Sequence, residues 1–134
     1  MNTVTQQDRD VVQGVFDAMQ MGPAGEHKMM ALFADDAVFT EPFNGAPNTV
    51  NGKEAIRARF LEMWSGDGPH DLALTIDQID ASEGKVRVEW TCRSAAFLTP
   101  MIGVDFFTME NGLIKELVFE VTTWPEFAGG GAHA

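Results

Sequence analysis

GVDFFTMENGLIKEL, Gly103–Leu117, reads as two strands joined by a tight turn. Asn111-Gly112 carries the hairpin signal, because a two-residue hairpin turn needs positive φ at both central residues and these types tolerate it. Working outward, the upstream strand covers Met101 to Met109 and the downstream strand Leu113 to Trp124. The upstream strand holds an anomaly. Asp105 is the only charged residue between Pro100 and Met109. Its neighbours on the same face are Gly103 and Phe107, and the opposite face offers Val104 and Phe106. Aspartate is disfavoured within strands.

Upstream of the hairpin, Leu72, Leu74 and Ile76 alternate with Ala73, Thr75 and Asp77. After the turn Ser82-Glu83-Gly84, Val86, Val88, Trp90 and Cys92 alternate with Arg87, Glu89, Thr91 and Arg93. One apolar and one polar face is the pattern of an antiparallel sheet packed on one side. The first half has helical periodicity instead. Val11, Val12, Val15, Phe16 and Met19 fall on one face between Gln6 and Met21, and Gly22-Pro23-Ala24-Gly25 breaks the run. A shorter helix is expected over Glu26 to Phe33, then a short strand over Ala37 to Phe43. Residues 44–51 hold Gly45, Pro47 and three asparagines, which is loop chemistry. A third helix runs from about Asn51 or Gly52 to Trp64, with Ile56, Phe60, Leu61, Met63 and Trp64 as its stripe. Three helices on one face of a curved, mostly antiparallel sheet make an α+β domain. The 134 residues suffice for one such domain with a real core. Residues from about 128 to 134, with Gly129-Gly130-Gly131, are expected to form a flexible tail.

Composition excludes several functions. The formal net charge of −11 argues against nucleic acid and against an anionic membrane surface, both of which need a basic patch. Cys92 is the only cysteine, so no intramolecular disulfide can form, which suits a cytoplasmic protein. The polar start MNTVTQQDRD lacks the apolar core of a signal peptide, and no apolar run approaches the ~20 residues that span a bilayer. His27, His70 and His133 are far apart, no zinc-ligand spacing or phosphate loop occurs, and no metal or cofactor is expected.

A second carboxylate matches Asp105. In FTEPFNG, Phe39–Gly45, strand alternation places Glu41 between Phe39 and Phe43, just before Pro42. Desolvation raises a carboxyl pKa. A glutamate so raised is a better general base, and a neutral aspartic acid can donate a hydrogen bond to a substrate oxygen. Facing one pocket, the pair could move a proton next to a carbonyl. A Glu41 solvated on an edge strand, or an Asp105 bonded to backbone, is the alternative for each.

LFADDAVFTEP (Leu32–Pro42), NGKEAIRARF (Asn51–Phe60) and GVDFFTMENGLIKEL resemble segments of bacterial ketosteroid isomerases and SnoaL-like proteins, and VVQGVFDAM (Val11–Met19) fits their first helix. Nearly the whole chain thus resembles the NTF2-like fold, a cone of three N-terminal helices on a curved sheet. The resemblance implies that Glu41, before Pro42, is the general base, where the family usually has aspartate, and that Asp105 is the neutral donor. It also exposes a departure. The family's oxyanion-hole tyrosine falls on Val15, Phe16 cannot donate either, and the chain has no tyrosine. Loss of one such donor costs about 2.7–4 kcal/mol of transition-state stabilisation. Trp64, Trp90 or His70 could donate instead.

The cone would enclose a cavity lined from the helices by Phe16, Met19, Phe60, Met63 and Trp64. The strands would add Phe39, Phe43, Val88, Trp90, Met101, Phe107 and Phe119. Eight methionines and ten phenylalanines point to an apolar ligand. The expected activity is isomerase-like proton transfer on a small apolar carbonyl compound. The alternatives are a SnoaL-like polyketide cyclase in which Asp105 is the acid/base, and a non-catalytic ligand-binding module. The resemblance further implies a homodimer through the polar face that carries Arg87 and Arg93. An arginine paired with Asp105 would instead resemble the epoxide-hydrolase branch, but Arg93 alternates away.

Overall fold

The computed structural model of the chain describes residues 3–43, 47–66 and 68–128. Helix α1 (Gln6–Met21) starts at Thr5, whose hydroxyl accepts from the Asp8 N–H at 3.0 Å. The Asp8 carboxylate in turn accepts from the Thr5 N–H at 3.1 Å, so the pair caps the first turn reciprocally. Val11, Val12, Val15, Phe16 and Ala18 form the buried stripe. The helix stops at Gly22, which takes φ +67°, and a 3-10 turn over Gly22–Gly25 leads into α2 (Glu26–Met30).

Then follow β1 (Phe33–Glu41), β2 (Asn48–Asn51), α3 (Lys53–Ser65), β3 (Ala73–Ser82), β4 (Lys85–Arg93), β5 (Met101–Glu110) and β6 (Leu113–Thr123). The sheet order is β2-β1-β6-β5-β4-β3. Only β1 and β6 pair in parallel; the other neighbours are antiparallel. The two hairpin turns form as expected, with positive φ at Glu83-Gly84 and at Asn111-Gly112.

The α+β, NTF2-like architecture expected from the sequence is present, with three corrections. First, two helices, α1 and α3, do the covering, because α2 has only five residues; α3 follows the expected short strand, with β2 between them. Second, β1 begins at Phe33, not Ala37, because parallel pairing with β6 (Phe33 opposite Ile114) overrides the local helical pattern. Third, residues 48–51 are an edge strand and not loop, recruited by β1 with Glu41 opposite Asn48. Asn44 to Ala46, in the same expected loop, and the tail beyond Ala128 lie outside the described residues.

Register shifts between Ile76 and Gln78 and, in β5–β6, at Ile102/Gly103 and Thr108/Met109 bend the sheet. Its concave face meets the helices in one core, centred on Phe33, Phe39, Phe60, Phe107, Met29, Ile56, Ile114 and Leu117. Among the described residues no helix is long and apolar enough to cross a membrane.

Candidate active site

The bend leaves a cavity of about 740 Å³ between the concave face, α1 and α3. Small-molecule sites typically span ~300–1,000 Å³. Phe16 and Met19 line it from α1, Phe60, Met63 and Trp64 from α3, Trp90 and Cys92 from β4, Met101 and Asp105 from β5, and Phe119 from β6. Phe43 lies just past the end of β1 and reaches the wall, 6.2 Å from Phe119 between ring centres. Among the described residues, the wall carries the polar side chains of Gln20, Arg59, Glu62, His70 and Asp105.

Asp105 is 2% exposed. Its side chain projects inward because β5 alternates, with Met101, Gly103 and Phe107 on the same buried face. Val88 and Phe119 sit opposite it on the neighbouring strands. The indole N–H of Trp90 donates to Oδ1 at 2.8 Å, the only hydrogen bond Asp105 makes among the described residues. Burial pushes its carboxyl well above the ordinary aspartate range, against the smaller pull of that N–H, which favours the charged form. Among the described residues no arginine pairs with it.

Glu41 behaves differently. It is 1% exposed, yet it is not on the cavity wall. Its Oε1 accepts from the Phe43 backbone N–H at 2.7 Å, and its Oε2 from Asn48 at 3.0 Å and from Arg59 Nε at 2.8 Å. Burial alone would raise its pKa, but the hydrogen bonds from Arg59, Asn48 and Phe43 and the Arg59 charge outweigh it and hold the carboxyl below its ordinary value. The expected elevation is therefore reversed. The physical reason is Arg59, a buried guanidinium that also donates to Glu62 at 3.0 Å. Arg59 was readable in principle: it lies on the apolar stripe of α3, three residues after Ile56 and four before Met63.

Three expected lining residues are elsewhere. Phe39 stacks on Phe60 at 4.8 Å and meets Phe119 edge-on at 4.9 Å, filling the core instead of facing the cavity. Val88 and Phe107 are fully buried in packing. Val15, at the family's tyrosine position, is likewise core. Neither expected tryptophan replaces the missing donor: Trp64 gives its N–H to Met19 O at 3.2 Å and Trp90 gives its own to Asp105. His70 is exposed where it lines the cavity. Cys92 is buried and its thiol is pushed up to about 11 by desolvation and the Asp71 charge, so it is inert as a nucleophile.

One wall of the cavity was not foreseen from the sequence. Phe97, Trp124, Pro125 and Phe127 belong to two loop segments that pair with each other. Leu98 N–H donates to Glu126 O at 2.6 Å, Ala128 N–H to Ala96 O at 2.8 Å, and the Phe97 and Phe127 rings meet at 5.6 Å. Nothing periodic marks either segment: the first joins two strands, and the second follows the last one. Among the described residues no three His, Cys, Asp or Glu gather to hold a metal ion.

The profile of the SnoaL-like domain family matches residues 12–117. No curated protein matches the sequence. Solved structures share the fold. A candidate SnoaL-like polyketide cyclase of Jannaschia sp. CCS1 superposes with a TM-score of 0.72 at 16% identity, over 89% of this chain and 88% of that one. A candidate ketosteroid isomerase of Kribbella flavida DSM 17836 gives 0.69 at 20% identity, over 91% and 82%. An LEH-like epoxide hydrolase of M. tuberculosis gives 0.67 at 18% identity, over 87% and 84%.

Proposed function

The chain belongs to the SnoaL-like domain family, and from that premise we propose that it binds a small apolar carbonyl compound and moves a proton beside the carbonyl, with Asp105 as the acid/base. The observation that carries this is a buried carboxyl on the wall of a mostly apolar cavity, its pKa raised by desolvation toward the acid form. In its acid form Asp105 donates to the carbonyl oxygen. As the proton passes to oxygen, the carboxylate left behind takes the α-proton, and the enol forms with Asp105 restored. In a substrate with a second carbonyl, the enol carbon can then close a ring by attacking the carbon of that carbonyl and breaking its C=O π bond. Asp105 gives its proton to the new alkoxide and takes the enol O–H proton as the first carbonyl re-forms. The apolar walls exclude water and strengthen the hydrogen bond at the oxygen.

The ketosteroid-isomerase-like alternative keeps Asp105 as donor and gives the base role to Glu41. The position of Glu41 before Pro42 supports it; the three hydrogen bonds and the Arg59 ion pair weigh against it. One experiment separates the two: deuterium uptake from D2O at the α-carbon of 2-tetralone. Asp105→Asn is expected to lower the catalysed rate on the order of 10²–10⁴-fold, with Glu41→Gln, if it folds, changing it far less. The reverse order would transfer the base role to Glu41, and tetralone binding without uptake would leave a ligand-binding module. The homodimer through the outer sheet face is part of the same proposal, and a monomer in sedimentation velocity would remove it.

A further inference from the structure

Trp90 and Gly103 face each other across β4 and β5. A Cβ at position 103 would lie 2.2 Å from Trp90 Cζ2, 2.7 Å from Cε2 and 2.4 Å from the Glu120 carbonyl oxygen. The indole therefore lies against bare backbone, and only glycine leaves room for it. Two residues further along the same face stands Asp105, and the indole N–H meets its Oδ1 at 2.8 Å.

We propose that Trp90, seated by Gly103, is the positioning residue for Asp105: its N–H holds Oδ1 as the carbonyl oxygen of the acid and so places the acid proton on Oδ2. A carboxyl without a partner turns freely about χ2, a broad two-fold torsion, and can carry its proton on either oxygen. An indole is a donor only, so it selects the oxygen that accepts. The group then meets a ligand with one defined O–H. The role rests on Asp105 being the acid/base proposed above. The same bond removes Trp90 from the ligand's own donors.

Other titratable groups on the cavity wall do not take this place. Cys92 on β4, Arg59 and Glu62 on α3, and His70 before β3 share the cavity, and none of them bonds Asp105. Arg87, Glu89 and Arg93 alternate onto the other face of β4.

The test uses protein labelled with ¹³C at the aspartate side-chain carboxyl, the Asp105 signal being the one lost in Asp105→Asn. In Trp90→Phe its titration midpoint is expected to move upward, because the lost N–H favoured the charged form, while the other aspartates stay in place. Trp90→His, which keeps a ring N–H, should recover part of the shift. The tetralone exchange rate should fall roughly tenfold in Trp90→Phe with little change in KM, and the pH profile should follow the carboxyl midpoint. The unmutated protein supplies a second measurement. The Trp90 indole N–H resonance should titrate with the Asp105 midpoint and stay flat in Asp105→Asn. An indole resonance indifferent to Asp105, or an unmoved midpoint in folded Trp90→Phe, overturns the assignment. A coupled titration without any tetralone exchange would sustain the positioning bond and discard the acid/base role.

Discussion

At the scale of single residues, two buried carboxylates on one sheet, in strands separated by β6, are driven in opposite directions. Glu41 receives a guanidinium and two further donors; Asp105 receives one indole N–H in apolar surroundings. Their contributions to stability should therefore oppose each other with pH. The lowered pKa of Glu41 means that its contribution is present above the ordinary carboxylate range, ~4.3, and is lost as pH falls through the folded-state value. Asp105 is raised in the folded state, so it favours folding below its ordinary ~3.9 and that advantage is lost as pH rises through the folded-state value. Urea unfolding across pH should find Asp105→Asn more stable than the parent at neutral pH, the gap closing in acid. Glu41→Gln should be less stable by about 1.5–3 kcal/mol at neutral pH, because the buried Arg59 loses its charge-assisted bond to Glu41 and keeps the one to Glu62. A Glu41→Gln protein as stable as the parent would mean that the ion pair contributes nothing net.

At the scale of elements, the hairpin turns test how far backbone chemistry alone sets the register. Gly84 has φ +81° and a Cβ there would meet nothing within 4 Å, whereas a Cβ at Gly112, φ +79°, would lie 2.6 Å from the Gln7 amide. Gly84→Ala should therefore cost about 1 kcal/mol from the left-handed backbone alone, and Gly112→Ala at least as much, both read as a lower urea midpoint at unchanged slope. These turns, the stripe of α1 and the alternation of β4 were legible because each depends on residues a few positions apart. The start of β1 and the whole of β2 were not, since β6 and β1 respectively recruit them through pairing that no local pattern records. Arg59 shows the same limit at a side chain. Its place on the α3 stripe was readable, but Glu41, the buried carboxylate it pairs with, is 18 residues away.

At the scale of the molecule, the cavity is the feature that a tightly packed core would lack. Its apolar wall should take up a neutral aromatic probe such as N-phenyl-1-naphthylamine, with enhanced probe fluorescence. At ~100 times Kd, binding stabilises by about 2.7 kcal/mol, which for a domain of this size raises Tm by roughly 10 °C. An unchanged Tm with the probe at its solubility limit would argue that the cavity does not accept such ligands.

The sequence by itself determined the class of fold, the hairpins and the two anomalous carboxylates, because periodicity, turn chemistry and a charge in an apolar run are local properties. It also named nine residues that line the cavity, through the faces on which strands and helices present them. Only the tertiary structure decided what the carboxylates are. Whether a buried acid is ionised depends on which donors reach it, and those come from other elements: α3 and β2 bring Arg59 and Asn48 to Glu41, while β4 brings only an indole to Asp105. Desolvation acts on both; the partners supplied by packing shift the two carboxyls in opposite directions.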